Sequence, residues 1–141
     1  MTKKIFGIVD RVIKRKAVGI IYNVPKIDEA LLQNRLLDEH KVLPIKGRDA
    51  YTHSMLLHRL SSKLKIKHIQ FSMIPALIDD KIIMITGADM IKNSYNRILD
   101  ESYKYKIPLL IIMNNETAMK DFRKFAAYQR VFTIEQNYKT L

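Results

Sequence analysis

Asp79 and Asp80 stand directly before the apolar segment Lys81-Ile82-Ile83-Met84-Ile85-Thr86, and Asp89 follows Gly87 just beyond it. Carboxylate oxygens are the ligands Mg²⁺ prefers. A metal held by Asp79, Asp80 and Asp89, with Glu101 as a further acid, would make a nuclease. The same residues also read as a solvated Asp-Asp turn and a helix cap at Asp89. His40, His53, His58 and His68 show no paired ligand spacing, because His53 and His58 are five apart and miss the i,i+4 face of a helix. Each reads as a lone core or surface histidine. Ser72, His68, Gln70, Asn93 and Asn96 offer hydrogen bonds to a small molecule, or are solvated polar residues.

Other chemistries are excluded by residue type. Gly7, Gly19, Gly47 and Gly87 are isolated from one another, and neither GxGxxG nor GxxxxGK occurs, so there is no glycine loop for phosphates. No GxSxG elbow and no HExxH pair is present. The absence of cysteine removes disulfides, thiolate zinc, iron–sulfur clusters and thiol nucleophiles. The main reading therefore calls for no cofactor and no bound metal.

Charge gives the positive signal. Lys and Arg number 25 against 14 Asp and Glu, a net +11, which attracts polyanions. The candidate nucleic-acid contacts are Lys14, Arg15 and Lys16, then Lys63, Lys65 and Lys67, then Arg123 and Lys124. A generally basic proteome would give the same balance. No arginine-rich tail or groove-binding motif sharpens it.

These groups need elements to position them. The chain is 141 residues, 48% apolar and 28% charged, which fits one globular domain spanning 1–141. No apolar run is long enough to span a bilayer, and the first residues carry no signal-peptide pattern, so a cytoplasmic protein is expected. Ile5, Ile8, Val9, Val12 and Ile13 define an amphipathic helix over 4–16. Residues 18–22 form a short apolar strand, and a helix from Pro25 or Lys26 to His40 turns Ile27, Leu31, Leu32 and Leu36 inward. A strand follows at 42–45, where Pro44 argues for an unpaired N–H side or an irregular strand. The next helix, 48–63, carries His53, Leu56, Leu57 and Leu60 on one stripe. Residues 66–71 alternate as a strand. Asp79-Asp80-Lys81 between two apolar runs predicts a hairpin, hence one antiparallel pair. Then come a strand to Thr86, a helix from Asp89 to Tyr105, and a strand at 108–113. A helix capped by Asn114 or Asn115 has Ala118, Met119, Phe122, Phe125 and Ala126 inward, and 131–134 is a last strand or an extended tail. The expected fold is α/β, a mixed-sheet sandwich with the order β-α-β-α-β-β-α-β-α after an N-terminal helix.

The stretch from Leu77 to Gly87, LIDDKIIMITG, resembles the motif region of phospholipase D superfamily domains. There an Asp in a turn precedes a strand that ends in Thr-Gly. The element order after it is similar too. The family's His-x-Lys-x4-Asp motif does not carry over. With Asp80 as its Asp, the His and Lys positions are Met73 and Pro75. With Asp79 they are Ser72 and Ile74. Beyond Gly87, Ala88-Asp89-Met90 departs from the family's Ser-x-Asn. An alkyl side chain cannot attack phosphorus. The resemblance therefore implies a phospholipase D-like scaffold without phosphodiesterase activity, with Ser72, Met73, Asp79, Asp80, Gly87 and Asp89 marking the degenerate motif. Such degenerate domains resemble the effector and dimerisation region of TrmB-type transcription regulators, here without a winged helix ahead of residue 4.

That resemblance implies a non-catalytic binding module tied to DNA or transcription. It would act as a homodimer with 68–90 near the two-fold axis and Met73, Ile74 and Met90 on the interface. A metal-dependent nuclease and a small-molecule sensor with a bound effector are the alternatives. No membrane partner is expected.

Overall fold

The computed structural model describes residues 2–90, 95–126 and 133–141. Helix α1 (Thr2–Arg15) precedes strand β1 (Val18–Tyr22), followed by α2 (Lys26–Asp38) and β2 (Val42–Lys46). Then come α3 (His53–Leu64), the short α4 (Ile74–Ile78), β3 (Ile82–Thr86), α5 (Tyr95–Tyr105), β4 (Leu109–Ile112), α6 (Glu116–Ala126) and β5 (Thr133–Asn137). The strands form one sheet in the order β2-β3-β4-β1-β5. Each neighbouring pair is parallel.

Both faces of the sheet are covered, as a parallel sheet requires. Alternate residues of β3 and β4 enter different cores. Ile83, Ile85, Leu109 and Ile111 pack with Leu56 and Leu60 of α3, Ile98 and Leu99 of α5, and Met119 and Phe122 of α6. Ile82, Met84, Leu110 and Ile112 pack with Ile5, Ile8, Val9 and Val12 of α1 and Leu32 and Leu36 of α2. Gly19 lets α1 lie close: a Cβ there would sit 2.6 Å from a Val12 methyl. Pro44 lies on β2, an edge strand, where a missing N–H is tolerated.

The α/β class, the apolar face of α1 and the sites of the main strands agree with the sequence expectation. The hairpin does not. Residues 66–70 form no strand, Phe71–Met73 is a 3-10 turn, and Ile74–Ile78 is helical. Apolar alternation there serves packing: Ile69, Phe71, Ile74 and Ile78 are buried beneath the sheet. Asp79-Asp80 thus joins a helix to a strand, and β3 is parallel to β2 and β4, so the described sheet is parallel rather than mixed. Ile27 and Leu31 were expected inward but are 76% and 54% exposed, because α2 meets the sheet through Leu32 and Leu36. Of the expected apolar interface, Ile74 is core and Met73 is exposed. The side chains of Met90, Asn96, Phe125 and Ala126, and the expectations for Asn93, Val131 and Phe132, lie outside the described residues. No described helix is long and apolar enough to cross a membrane.

Candidate functional site

In a doubly wound sheet, ligands bind at the carboxyl ends of the strands, where neighbouring strands send their helices to opposite faces. Here those neighbours are β1 and β4. The helix leaving β1, α2, covers one face, and the helix leaving β4, α6, covers the other. The crevice is formed by Asn23 and Val24 after β1 and by Met113, Asn114 and Asn115 after β4. Gly87 and Asp89 after β3 flank it.

The chain's own hydrogen bonds lace this crevice together. The Val24 N–H donates to the Met113 carbonyl at 3.0 Å. The Asn114 side-chain amide donates to the Val24 carbonyl at 2.8 Å and to Glu29 Oε1 at 2.9 Å. The same Glu29 oxygen accepts the Gly87 N–H at 2.9 Å. Asp89 accepts the Asn114 N–H at 3.0 Å and the Asn115 side chain at 2.5 Å. On the other flank Asn23 donates to Asn137 at 3.1 Å.

The turn from β1 into α2 is only Asn23-Val24-Pro25, and α2 begins without a side-chain cap. The first turn of α2 instead carries Asp28 and Glu29. The partial positive charge at that helix start is thus met by the protein's own carboxylates. Tyr138 adds to this screen. Burial pushes its phenol pKa up, and a hydrogen bond with Asp28 raises it further. A phosphate brought here would face Asp28, Glu29 and Asp89 rather than a ring of free N–H groups.

The sequence-derived site residues separate in space. Asp79 and Asp80 lie at the amino end of β3 and Asp89 beyond its carboxyl end. A five-residue strand puts about 17 Å between them, too far to share one ion. No group of three or more metal-ligating side chains occurs among the described residues. Asp89 was expected to cap a helix. The helix start it would cap lies outside the described residues, and its carboxylate holds Asn114 and Asn115. Asn115 is the cap of α6, accepting the Ala118 N–H at 2.8 Å. Gly87 joins the crevice, whereas Ser72 and Met73 lie in the Phe71–Met73 turn.

The basic residues divide as well. Arg15 and Lys16 line a cavity of about 480 Å³ with Lys104 and Lys106, beneath the amino ends of β1 and β4. Lys14 occupies the last turn of α1 beside them. Lys63 lies elsewhere, near Asp49, Arg59 and Lys46. Burial lowers its pKa and the neighbouring Arg59 lowers it further. Lys65 is the left-handed residue that ends α3, and Lys67 is exposed in the segment after it. Arg123 is paired with Glu135 at 3.4 Å and lies over the Tyr22 ring, and Lys124 follows it in the last turn of α6.

Of the small-molecule set, Gln70 and Ser72 meet in a cavity of about 220 Å³ with His53, Phe71, Glu101 and Tyr105. The His53 ring stacks on Phe71 at 4.7 Å between centroids. Its Nε2 is buried, 3.5 Å from Glu101. His68 is not part of that lining. Sequence reasoning missed Glu29, Lys104 and Lys106, and it assigned Asn114 only a capping role. The available signal was Asn114-Asn115 placed directly after a buried strand, a usual location for ligand groups.

No protein-family model matches the chain. No curated protein matches it either. Solved structures do. The Walker-type ATPase PABY2304 of Pyrococcus abyssi superposes with a TM-score of 0.58 at 13% identity, over 96% of this chain and 52% of that one. A chain in the structure of Drosophila ORC bound to AT-rich DNA and Cdc6 superposes with a TM-score of 0.60 at 12% identity, over 96% of this chain and 28% of that one. The chain thus spans about half or less of the structures it resembles. At these identities the likeness concerns the fold. Neither structure is a phospholipase D-like domain.

Proposed function

We propose that this chain is a non-catalytic nucleic-acid-binding module on an ATPase-type sheet. The observation that carries the reading is Glu29. Its carboxylate takes the Gly87 N–H and the Asn114 amide at the crevice where a nucleotide phosphate would need donors. The sequence supports it, since a Walker-type phosphate loop is GxxxxGK[ST] and no such run occurs. The net charge of +11 supplies the attraction for a polyanion. One of the structures it resembles is described as bound to AT-rich DNA. A link to DNA or transcription, with pairing of two copies, is part of the same reading. The phospholipase D-like scaffold and the aspartate nuclease are not carried forward: the hairpin is absent and the aspartates stand apart.

Two measurements test this. ATP turnover is expected at background, and binding of labelled DNA or RNA is expected to weaken steeply between 50 and 200 mM salt, as counterion release requires, on the order of a hundredfold or more. Saturable ATP hydrolysis would overturn the reading, and so would the absence of nucleic-acid binding at low salt. A second reading, a small-molecule sensor, is favoured only by the cavity that gathers His53, Gln70, Ser72 and Glu101. A thermal shift with a sugar or nucleotide panel would separate it, through ligand-linked stabilisation.

A further inference from the structure

Four helices end in the same way. α1, α2, α3 and α5 each finish on a residue with positive φ: Lys16 (52°), His40 (57°), Lys65 (55°) and Lys106 (55°). At α1 the Ala17 N–H returns to the Val12 carbonyl at 3.0 Å. At α5 the Ile107 N–H returns to Ser102 at 2.9 Å. This is the Schellman closure, and its left-handed position is where glycine is ordinarily found, since a Cβ there is disfavoured. None of the chain's four glycines occupies these positions. Three lysines and a histidine do.

Two of those lysines face one cavity. Lys16 and Lys106 leave helices on opposite faces of the sheet and enter the adjacent parallel strands β1 and β4, where Val18 pairs with Leu109. Below that pair lies the cavity of about 480 Å³ with Arg15 and Lys104 also on its wall. Lys104 Nζ lies 5.3 Å from the Tyr105 ring centroid. The lining residue Tyr103 is 55% exposed. A cationic wall with an exposed aromatic is the combination that holds a single strand, phosphate on the cations and base on the ring. A concave space of this size takes a nucleotide unit of an unpaired strand, not the width of a duplex.

We infer that the cavity between the ends of α1 and α5 binds single-stranded nucleic acid, with Arg15, Lys16, Lys104 and Lys106 on the phosphate and Tyr103 stacking a base. This rests on the nucleic-acid reading above and specifies its site, at the amino ends of the strands rather than in the carboxyl-end crevice. Helix-dipole complementation alone would also favour cations here, so the experiment must separate the two.

The left-handed geometry supplies the variant. Lys16→Gly with Lys106→Gly removes two charges while suiting the backbone. The pair should fold at least as well as the wild type. Fluorescence anisotropy with a labelled 12-nucleotide single strand should then show affinity reduced tenfold or more. The log–log salt slope should be shallower by about 1.4, two phosphate contacts at about 0.7 each. Tyr103→Ala should weaken binding about fivefold or more. The control pair Lys26→Gln with Lys139→Gln, equal in charge and at the other end of the sheet, should leave the affinity within about threefold. Wild-type-like binding by the glycine pair would overturn this site and leave the nucleic-acid reading standing. A wild type that binds no strand at low salt would overturn both. Competition by a free mononucleotide or inorganic phosphate at the affinity of the strand would assign the cavity to a small anion and overturn the strand proposal.

Discussion

Gly47 and Gly87 touch through their backbones. A Cβ on Gly47 would lie 2.3 Å from the Gly87 carbonyl oxygen, a distance that real Cβ atoms do not show. The ends of β2 and β3 are therefore held together by the absence of a side chain. Gly87 itself turns with φ of +60° and delivers its N–H to Glu29.

Gly47→Ala forces those two strand ends apart. It is expected to lower stability by about 1–3 kcal/mol, the usual cost of overpacking. Urea denaturation measures it. An alanine variant as stable as the wild type would show that the two turns do not meet.

Glu29→Ala leaves the Gly87 N–H and the Asn114 amide short of an acceptor in a partly buried site. The expected loss is about 1–3 kcal/mol. Glu29→Gln keeps one oxygen acceptor and should lose less. Equal losses in the two variants would argue that the carboxylate's charge, not its hydrogen bonds, holds the crevice.

Asn115 caps α6 through the Ala118 N–H. Asn115→Ala is expected to cost about 1 kcal/mol. Asn115→Asp keeps the acceptor for that bond but loses the donor to Asp89 and sets a second carboxylate beside it, so it should not restore the stability. If Asn115→Ala were neutral by chemical denaturation, the cap would not be formed in solution.

Burial against Phe71 holds the His53 imidazole below its ordinary pKa of 6.5. Arg97 lowers it further, and Glu101 pulls it back up. The folded state therefore binds fewer protons at this group than the unfolded chain. Its contribution is complete above about pH 6.5 and is lost as the pH falls toward the depressed folded value. Stability should drop between pH 7.5 and 5.5, and His53→Gln should flatten that segment of the profile. A profile unchanged by His53→Gln would assign the dependence to other groups.

His40 closes α2 with φ of 57°. His40→Gly relieves the left-handed side chain and should raise stability by up to about 1 kcal/mol. A destabilised variant, read by the denaturation midpoint, would contradict that backbone geometry.

Much of the fold was legible because its code is local. The run Val18–Tyr22, the run Ile82–Thr86 and the 3.6-residue stripe of Ile5, Ile8, Val9 and Val12 each bury their own surface in the way their spacing demands. The hairpin at Asp79-Asp80 was misread because apolar residues at 69–78 serve either a strand or a short buried helix. Only packing beneath β3 and β4 distinguishes the two. The site was less legible still, since the partners of Glu29 lie 58 and 85 residues further along.

The sequence by itself determined the α/β class, the positions of the main strands, the excess of positive charge and the want of a glycine loop for phosphates. Those follow from residue type and short-range period. The tertiary structure decided that the described strands pair in parallel and that the helices leave β1 and β4 toward opposite faces. It also decided that Lys16 and Lys106 share one cavity. Those facts depend on strand order, and strand order is set by long-range burial on two faces at once.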